Sequence, residues 1–254
     1  MNNLIAANWK MNPVSLKEAE ELFEKIKNGV KETRAEVVIC PPFVFLPLLI
    51  GASSSVKTTE RFVFGSQNVF YEEKGAFTGE ISPAMLKDLG IKYVIIGHSE
   101  RRKFFGETNE QVNKKIKKAL LAGLKIIFCV GETAEERDAG KKSDVLEKQL
   151  KDGLKGISKE EIKKITIAYE PVWAIGTGNN CSIDETMRSV LYIRKVVAAL
   201  YDRQSAKNAR ILYGGSVKSD NSGFYIKDSG INGLLVGGAS LNAEEFLKIL
   251  KSAG

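Results

Sequence analysis

The sequence predicts an α/β fold, a single (β/α)8 barrel formed by residues 1–254. Short apolar runs alternate with segments of helical periodicity about eight times, and no linker or low-complexity stretch interrupts them. A length of 254 residues suits one such barrel. The alternative is an open, doubly wound sheet, but the chain has no strand followed by a GxGxxG turn and a helix to favour it.

Eight apolar runs predict the strands. Each run is too short and too continuously apolar for a surface hairpin, a pattern typical of parallel strands that are buried on both faces. In chain order the runs are NLIAAN, EVVIC, RFVFGSQN, KYVIIG, LKIIFCV, KITIAYE, RILYG and GLLVG.

Helix-start signals follow most of these runs. The first helix is predicted from Ser15 to about Val30, because Ser15 and Glu18 match a capping box and apolar residues then recur at helical spacing. The segment SERR directly after His98 is predicted to begin a helical turn. Further helices are predicted to begin at Ser82–Pro83, Thr108, Ser158 and Asp184.

The composition places the chain among globular proteins with a large core, since 43% of its residues are hydrophobic. The first ten residues, MNNLIAANWK, match neither a signal peptide nor a membrane span, so we expect no membrane association and a cytoplasmic location. Cys40, Cys129 and Cys181 are odd in number and far apart, which predicts free thiols and no zinc site.

The formal charge of +7 is compatible with an anionic partner. Lysines alternate with acidic residues in amphipathic segments such as SKEEIKKI, and no stretch interleaves arginine with aromatic residues. We therefore expect a solvated basic surface, or an anionic small substrate, and no nucleic-acid partner.

In a (β/α)8 barrel the active site lies at the carboxyl ends of the strands, so the residues directly after each apolar run are the candidates for function. They include the only histidine of the chain. The candidates are Asn8 and Lys10 after the first run, His98, Ser99 and Glu100 after the fourth, Glu170 and PVWAIGTGNN after the sixth, GGSV after the seventh and GGAS after the eighth.

These residue types suit proton transfer next to a carbonyl. A carboxylate can remove the proton, a neutral imidazole can donate a hydrogen bond to the developing enolate oxygen, and a lysine can stabilise the negative charge. Each residue alone also has a plainer interpretation, such as a packed histidine, a carboxylate paired with a surface lysine, or a solvated loop lysine. Their convergence on one face of the barrel favours chemistry, with neither metal nor cofactor.

Seven stretches, in order and spanning almost the whole chain, resemble the triosephosphate isomerase family: ANWKMN, GAFTGEIS, IIGHSERR, CVGET, AYEPVWAIGTG, LYGGSV and LLVGGASL. The resemblance implies a TIM barrel that interconverts dihydroxyacetone phosphate and glyceraldehyde 3-phosphate through an enediolate, in glycolysis and gluconeogenesis. It implies that Glu170 is the base, His98 the electrophile, and Lys10 and Asn8 their electrostatic partners. Glu100 and Ser99 are implied to support them.

The resemblance also implies how the substrate is held. Backbone amides of Gly176, Ser216, Gly237 and Gly238 would bind the phosphate of a small phosphorylated triose. The lid would consist of Pro171, Val172, Trp173, Ala174, Ile175, Gly176, Thr177 and Gly178. Many members of the family carry a basic residue followed by small ones where this chain has Asn179, Asn180 and Cys181, a departure that bears on the kinetics of the lid.

The loop of residues 68–82 is long for a connection between a strand and a helix, and it carries Phe77 and Thr78 at its tip. In the family this loop enters a pocket beside Lys10 and His98 of the partner subunit, which implies a homodimer. Two other hypotheses remain at this stage: another phosphosugar barrel enzyme, and a barrel without catalytic activity that serves as a scaffold.

Overall fold

The computed structural model describes residues 2–30, 33–53, 62–176 and 178–253. Eight parallel strands form a closed barrel in which spatial order equals chain order. The strands are β1 (Leu4–Asn8), β2 (Glu36–Cys40), β3 (Phe62–Ser66), β4 (Tyr93–Ile96), β5 (Lys125–Val130), β6 (Ile165–Tyr169), β7 (Arg210–Tyr213) and β8 (Gly233–Val236). Every predicted strand is confirmed, as is the (β/α)8 fold class.

Strand β1 closes the barrel by pairing with both β2 and β8. Leu4 is aligned with Glu36 on one side and with Gly233 on the other. A Cβ atom at Gly233 would lie 1.9 Å from the carbonyl oxygen of Leu4, and the φ angle of Gly233 is 140°. The final strand therefore requires glycine at the point where it meets the first.

Helices surround the barrel. They are α1 (Leu16–Gly29), α2 (Leu46–Ser53), α3 (Pro83–Asp88), α4 (Ser99–Phe105), α5 (Asn109–Leu121), α6 (Ala134–Asp138), α7 (Lys142–Gly153), α8 (Ile183–Leu200), α9 (Arg203–Asn208), α10 (Ser219–Asp228) and α11 (Ala243–Ala253). The side chains of Ser15, Ser82 and Thr108 cap α1, α3 and α5 as predicted.

Two predicted helix starts were inaccurate. Ser158 and Glu161 do exchange hydrogen bonds, but they lead into a short 3₁₀ helix, Glu161–Lys164, because β6 begins at the next residue. Helix α8 begins at Ile183 with Ser182 as its cap, one residue before the predicted start at Asp184.

The core has two layers, one on each side of the strands. Side chains such as Leu4, Val38 and Ile95 point into the barrel, whereas Phe23 of α1 and Phe128 of β5 belong to the larger layer between strands and helices. Successive residues of a strand alternate between the two layers, so both of its faces are apolar. Within the described residues, the helices are too short or too polar to cross a bilayer.

Candidate active site

A cavity of about 550 Å³ lies at the carboxyl ends of the strands. Strand ends that are far apart in the chain meet here because all eight strands run in the same direction around the barrel. The cavity brings together most of the predicted site residues, and it is lined by Asn8, Lys10, His98, Glu170, Ile175, Gly176, Gly178, Ser216, Gly237 and Gly238 among others.

Glu170 follows β6 and is only 2% exposed. Its Oε2 accepts a hydrogen bond from the amide of Ser99 at 2.9 Å. Its Oε1 lies 3.2 Å from Nε2 of His98, without an aligned hydrogen bond to any described group. A Cβ atom at Gly131 would lie 1.7 Å from the carbonyl oxygen of Glu170, so only glycine allows β5 to end this close to it.

His98 precedes α4 and acts as its N-cap. The amide of Glu100 donates a hydrogen bond to Nδ1 of His98 at 3.2 Å. A ring nitrogen that accepts a hydrogen bond carries no proton, so this contact assigns the proton of the neutral ring to Nε2. The ring is 6% exposed, and Nε2 is the nitrogen that faces Glu170.

Lys10 lies two residues after β1, in the left-handed region with a φ angle of 54°. Its Nζ is 2.5 Å from Oε1 of Glu100, and its amide donates to Oδ1 of Asn8 at 3.1 Å. Gln67 donates from Nε2 to the carbonyl oxygens of Lys10 and Cys40, at 2.7 and 2.9 Å. These contacts hold an uncommon backbone conformation that directs the ammonium group toward the cavity.

Four further residues that line the cavity were predicted to bind an anion through their backbone amides, namely Gly176, Ser216, Gly237 and Gly238. In the described ranges, none of these amides donates to a protein acceptor. Two of the four follow β8, where a 3₁₀ helix begins at Gly238. These residues can therefore supply N–H donors to an anion.

The predicted lid contributes Ile175, Gly176 and Gly178 to the same cavity, and its Thr177 lies outside the described residues. Its first part is a 3₁₀ helix, Val172–Ala174. Nε1 of Trp173 donates to Oε1 of Glu132 at 2.9 Å, and Oγ of Ser216 donates to the carbonyl oxygen of Ala174 at 2.7 Å. Two side-chain hydrogen bonds thus tie the predicted lid to the segments that follow β5 and β7.

A family model described as triosephosphate isomerase matches residues 3–253. The chain belongs to the triosephosphate isomerase family. Among curated relatives of that name, the protein from Caldanaerobacter subterraneus subsp. tengcongensis is 51% identical over 247 residues, with 97% of this chain and 98% of the relative covered. The relative from Alkaliphilus oremlandii is 48% identical, with 97% and 98% covered, and that from Dictyoglomus thermophilum is 49% identical, with 98% of each covered.

The resemblance inferred from the seven stretches is thereby confirmed. Membership of the triosephosphate isomerase family does not favour either alternative, another phosphosugar enzyme or a scaffold.

Sequence reasoning missed three residues that support this family's site. Gln67 follows β3 directly, so the rule that found the other candidates could have found it. Glu132 is fully buried, and burial raises the pKa of its carboxyl group against the opposing effect of its hydrogen bond from Trp173. Glu107 lies after α4, where no strand-end signal exists.

Glu107 stabilises the segment that directly follows β4. Its Oε2 accepts from the amide of Gly97 at 3.1 Å, and its Oε1 binds Nε of Arg101 at 3.1 Å and the ammonium group of Lys115. Gly97 directly precedes His98, so this buried ion cluster sets the position of the imidazole.

The loop of residues 68–82 projects from the barrel, and all of residues 73–80 are exposed. Phe77 is 44% exposed and lies against Phe70, with ring centroids 4.9 Å apart. Beside the main cavity is a smaller one of about 230 Å³, lined by Lys10, Met11, Gln67, His98 and Phe105 among others. Met11 is 89% and Phe105 70% exposed, so the loop tip and the edge of this cavity each present apolar side chains to solvent.

Proposed function

We propose that this chain catalyses the reaction of its family, the interconversion of dihydroxyacetone phosphate and D-glyceraldehyde 3-phosphate, in glycolysis and gluconeogenesis. The observation that carries the proposal is the position of a buried carboxylate oxygen of Glu170, 3.2 Å from Nε2 of His98, at the wall of the cavity. A base and a neutral hydrogen-bond donor at one point are the groups that proton transfer through an enediolate requires.

In the proposed mechanism, Glu170 removes the proton from the carbon next to the carbonyl group of the substrate. The electrons of the C–H bond form the C=C bond of the enediolate, and those of the carbonyl π bond move onto its oxygen. Nε2–H of His98 donates to that oxygen, and the ammonium group of Lys10 stabilises its charge, with Asn8 beside them. His98 gives its Nε2 proton to this oxygen and then takes the proton of the adjacent hydroxyl group, which restores Nε2–H. Glu170 returns its proton to the neighbouring carbon, where the C=C electrons form the new C–H bond while an electron pair on the deprotonated oxygen forms the new C=O bond.

Neighbouring residues hold the proposed catalytic side chains in position. The amide of Ser99 donates to one oxygen of Glu170 and leaves the other without an aligned hydrogen bond in the described part of the chain. Glu100 orients Lys10 through the contact of 2.5 Å. The amides of Gly176, Ser216, Gly237 and Gly238 donate hydrogen bonds to the charged phosphate of the substrate. Closure of the lid excludes water from the enediolate.

The test is a coupled assay of glyceraldehyde 3-phosphate isomerisation by the purified chain without added metal. Rapid conversion is expected, and the Glu170→Gln variant is the matched control because it removes the base but keeps the size of the side chain. An inactive wild-type sample with a normal circular dichroism spectrum would instead favour a scaffold.

We further propose that the chain acts as a homodimer in which the loop of residues 68–82 enters the 230 Å³ cavity of a second copy. Two features support this arrangement: Phe77 is an exposed aromatic residue beside Thr78 at the tip of the loop, and the cavity is edged by the exposed side chains of Met11 and Phe105. Burial of these side chains would remove apolar surface from water. The same cavity is lined by Lys10 and His98, so the contact would also affect the reaction centre.

The whole chain, residues 1–254, is proposed to form one catalytic domain of cytoplasmic location. Cys40, Cys129 and Cys181 are free thiols, as predicted, and free thiols are typical of a reducing compartment.

A further inference from the structure

The C-terminal end of the lid is anchored in a different way from its N-terminal end. Residues 178–180 are exposed, whereas Cys181 is fully buried, and Ser182 then caps α8. The chain therefore passes from solvent into the core within one residue. This is the segment in which the sequence departs from the family pattern.

Tyr225 of α10 contacts this anchor directly. Its hydroxyl group donates a short hydrogen bond to the carbonyl oxygen of Cys181. Its ring stacks on Tyr213, with centroids 4.0 Å apart and an interplanar angle of 17°, and the two hydroxyl oxygens are 3.3 Å apart. Tyr225 is 3% exposed, so its hydroxyl group has no bulk water to replace the carbonyl.

Tyr213 links the same contact to the phosphate side of the cavity. It is the last residue of β7, and Gly214, Gly215 and Ser216 follow it into the cavity wall. A Cβ atom at Gly215 would lie 2.3 Å from the hydroxyl oxygen of Tyr213, so the ring lies directly under this loop. One tyrosine pair thus supports both the end of the lid and the loop that carries Ser216.

We propose that Tyr225 is a positioning residue that fixes the C-terminal hinge of the lid and thereby keeps the lid closed during the lifetime of the enediolate. The inference rests on the proposed function. Tyr225 lines neither cavity of the site and does not take part in proton transfer. It acts through the carbonyl group of Cys181, because a hinge can pivot reproducibly only about a fixed point.

When the lid is open, more of the enediolate is lost by elimination of phosphate. This side reaction therefore measures opening of the lid. In this side reaction an oxygen electron pair of the enediolate re-forms a C=O bond, the C=C electrons move to the adjacent carbon–carbon bond, and the C–O bond to phosphate breaks, so inorganic phosphate leaves with the bonding electrons. The remaining enol takes up a proton at its terminal carbon and loses the proton of its hydroxyl group, which gives methylglyoxal. Isomerisation and elimination share one intermediate, so the phosphate released per isomerisation measures how well the lid excludes water.

The experiment compares Tyr225→Phe, which keeps the stacked ring but removes the hydroxyl group, with Tyr93→Phe as the matched control. Tyr93 is also a buried tyrosine, but it donates to Glu36 at the other end of the barrel. We expect Tyr225→Phe to raise the released phosphate per turnover by about two- to tenfold, the factor for loss of one ordinary hydrogen bond. Tyr93→Phe should leave this ratio unchanged.

Thiol labelling distinguishes a loosened hinge from a destabilised fold. All three cysteines are fully buried, and burial raises the pKa of each thiol, so iodoacetamide labels only molecules that have opened. In Tyr225→Phe, labelling of Cys181 should accelerate by the same factor as phosphate release, whereas Cys40 and Cys129, inside the barrel, should react at the wild-type rate. Equal acceleration at all three would overturn the proposal, as would a faster reaction of Cys181 without more phosphate.

A measurement on the wild-type protein does not depend on the folding or the activity of any variant. Glycerol 3-phosphate, an unreactive triose phosphate analogue, should slow the labelling of Cys181 and leave that of Cys40 and Cys129 unchanged. Failure to protect Cys181 would show that the hinge does not move with the lid. An inactive wild-type enzyme would count against the proposed function, whereas an active wild type with an unchanged Tyr225→Phe variant would count against the hinge alone.

Discussion

Nδ1 of His98 accepts a hydrogen bond from the amide of Glu100 at 3.2 Å, so the start of α4 determines which nitrogen of the ring is protonated. Because His98 is the only histidine, nitrogen NMR of the ring is unambiguous. Of the two neutral tautomers, we expect the one with its proton on Nε2. A neutral ring with its proton on Nδ1 would exclude the proposed role of His98.

Replacement of Glu170 by aspartate withdraws the carboxylate by one methylene group. We expect Glu170→Asp to lower kcat by about 100-fold, since a displacement of roughly 1 Å can cost that much, while KM changes little. The measurement is steady-state kinetics in both directions, with thermal unfolding to establish that the barrel is intact. Near-normal turnover would mean that another residue removes the proton.

Deletion of residues 175–178 removes the tip of the lid, which includes Ile175 and Gly176 of the cavity wall. We expect a folded barrel with much lower kcat, and a larger share of the consumed substrate recovered as methylglyoxal and inorganic phosphate, because water reaches the enediolate. Product analysis by chromatography makes the comparison. Unchanged turnover and phosphate release would reduce this segment to an ordinary turn.

Phe77→Asp tests the dimer. A charge at the tip of the loop would have to be desolvated in the 230 Å³ cavity, so we expect the variant to sediment as a monomer at micromolar concentration with reduced activity. Phe224→Asp is the control, because Phe224 is 59% exposed on α10, which follows β7, whereas the loop follows β3 on another part of the barrel. A wild-type protein that is fully active as a monomer would contradict the proposal.

Glu107 makes stability dependent on pH. Burial alone would raise the pKa of its carboxyl group, but the ammonium group of Lys115 and the guanidinium group of Arg101 lower it below the ordinary glutamate value of 4.5. The ionised carboxylate therefore contributes fully to the free energy of unfolding when the pH is above the ordinary pKa of glutamate. This contribution is lost as the pH falls through the lowered pKa of Glu107 in the folded protein.

We accordingly expect Glu107→Gln to reduce the free energy of unfolding by about 3 kcal/mol at pH 7, since it leaves Lys115 buried without its charge partner. The difference from the wild type, measured by urea unfolding, should narrow below pH 4.5. Glu110→Gln, which affects an exposed pair with Lys114, should have a much smaller effect at either pH. If the difference in the free energy of unfolding between Glu107→Gln and the wild type does not change with pH, the charge of Glu107 does not stabilise the fold.

Local patterns predicted the strands well and several supporting residues poorly. Each strand is a mostly apolar run, a signal contained within four to six residues. Glu107, Glu132 and Tyr225 act through partners that lie in other elements, such as Gly97, Trp173 and Cys181. Neither residue spacing nor hydrophobicity indicates such a pairing before the fold is known.

The sequence by itself determined the number and order of the strands and the set of polar residues at their carboxyl ends. It could do so because strand signals are local, and because parallel strands joined in chain order place all their carboxyl ends on one face. Only the tertiary structure decided which atoms meet there. Nζ of Lys10 reaches Oε1 of Glu100 across 90 residues of chain, and the hydroxyl group of Tyr225 reaches the carbonyl of Cys181 across 44. Closure of the barrel and packing of the helices create these contacts, and no local segment contains both partners.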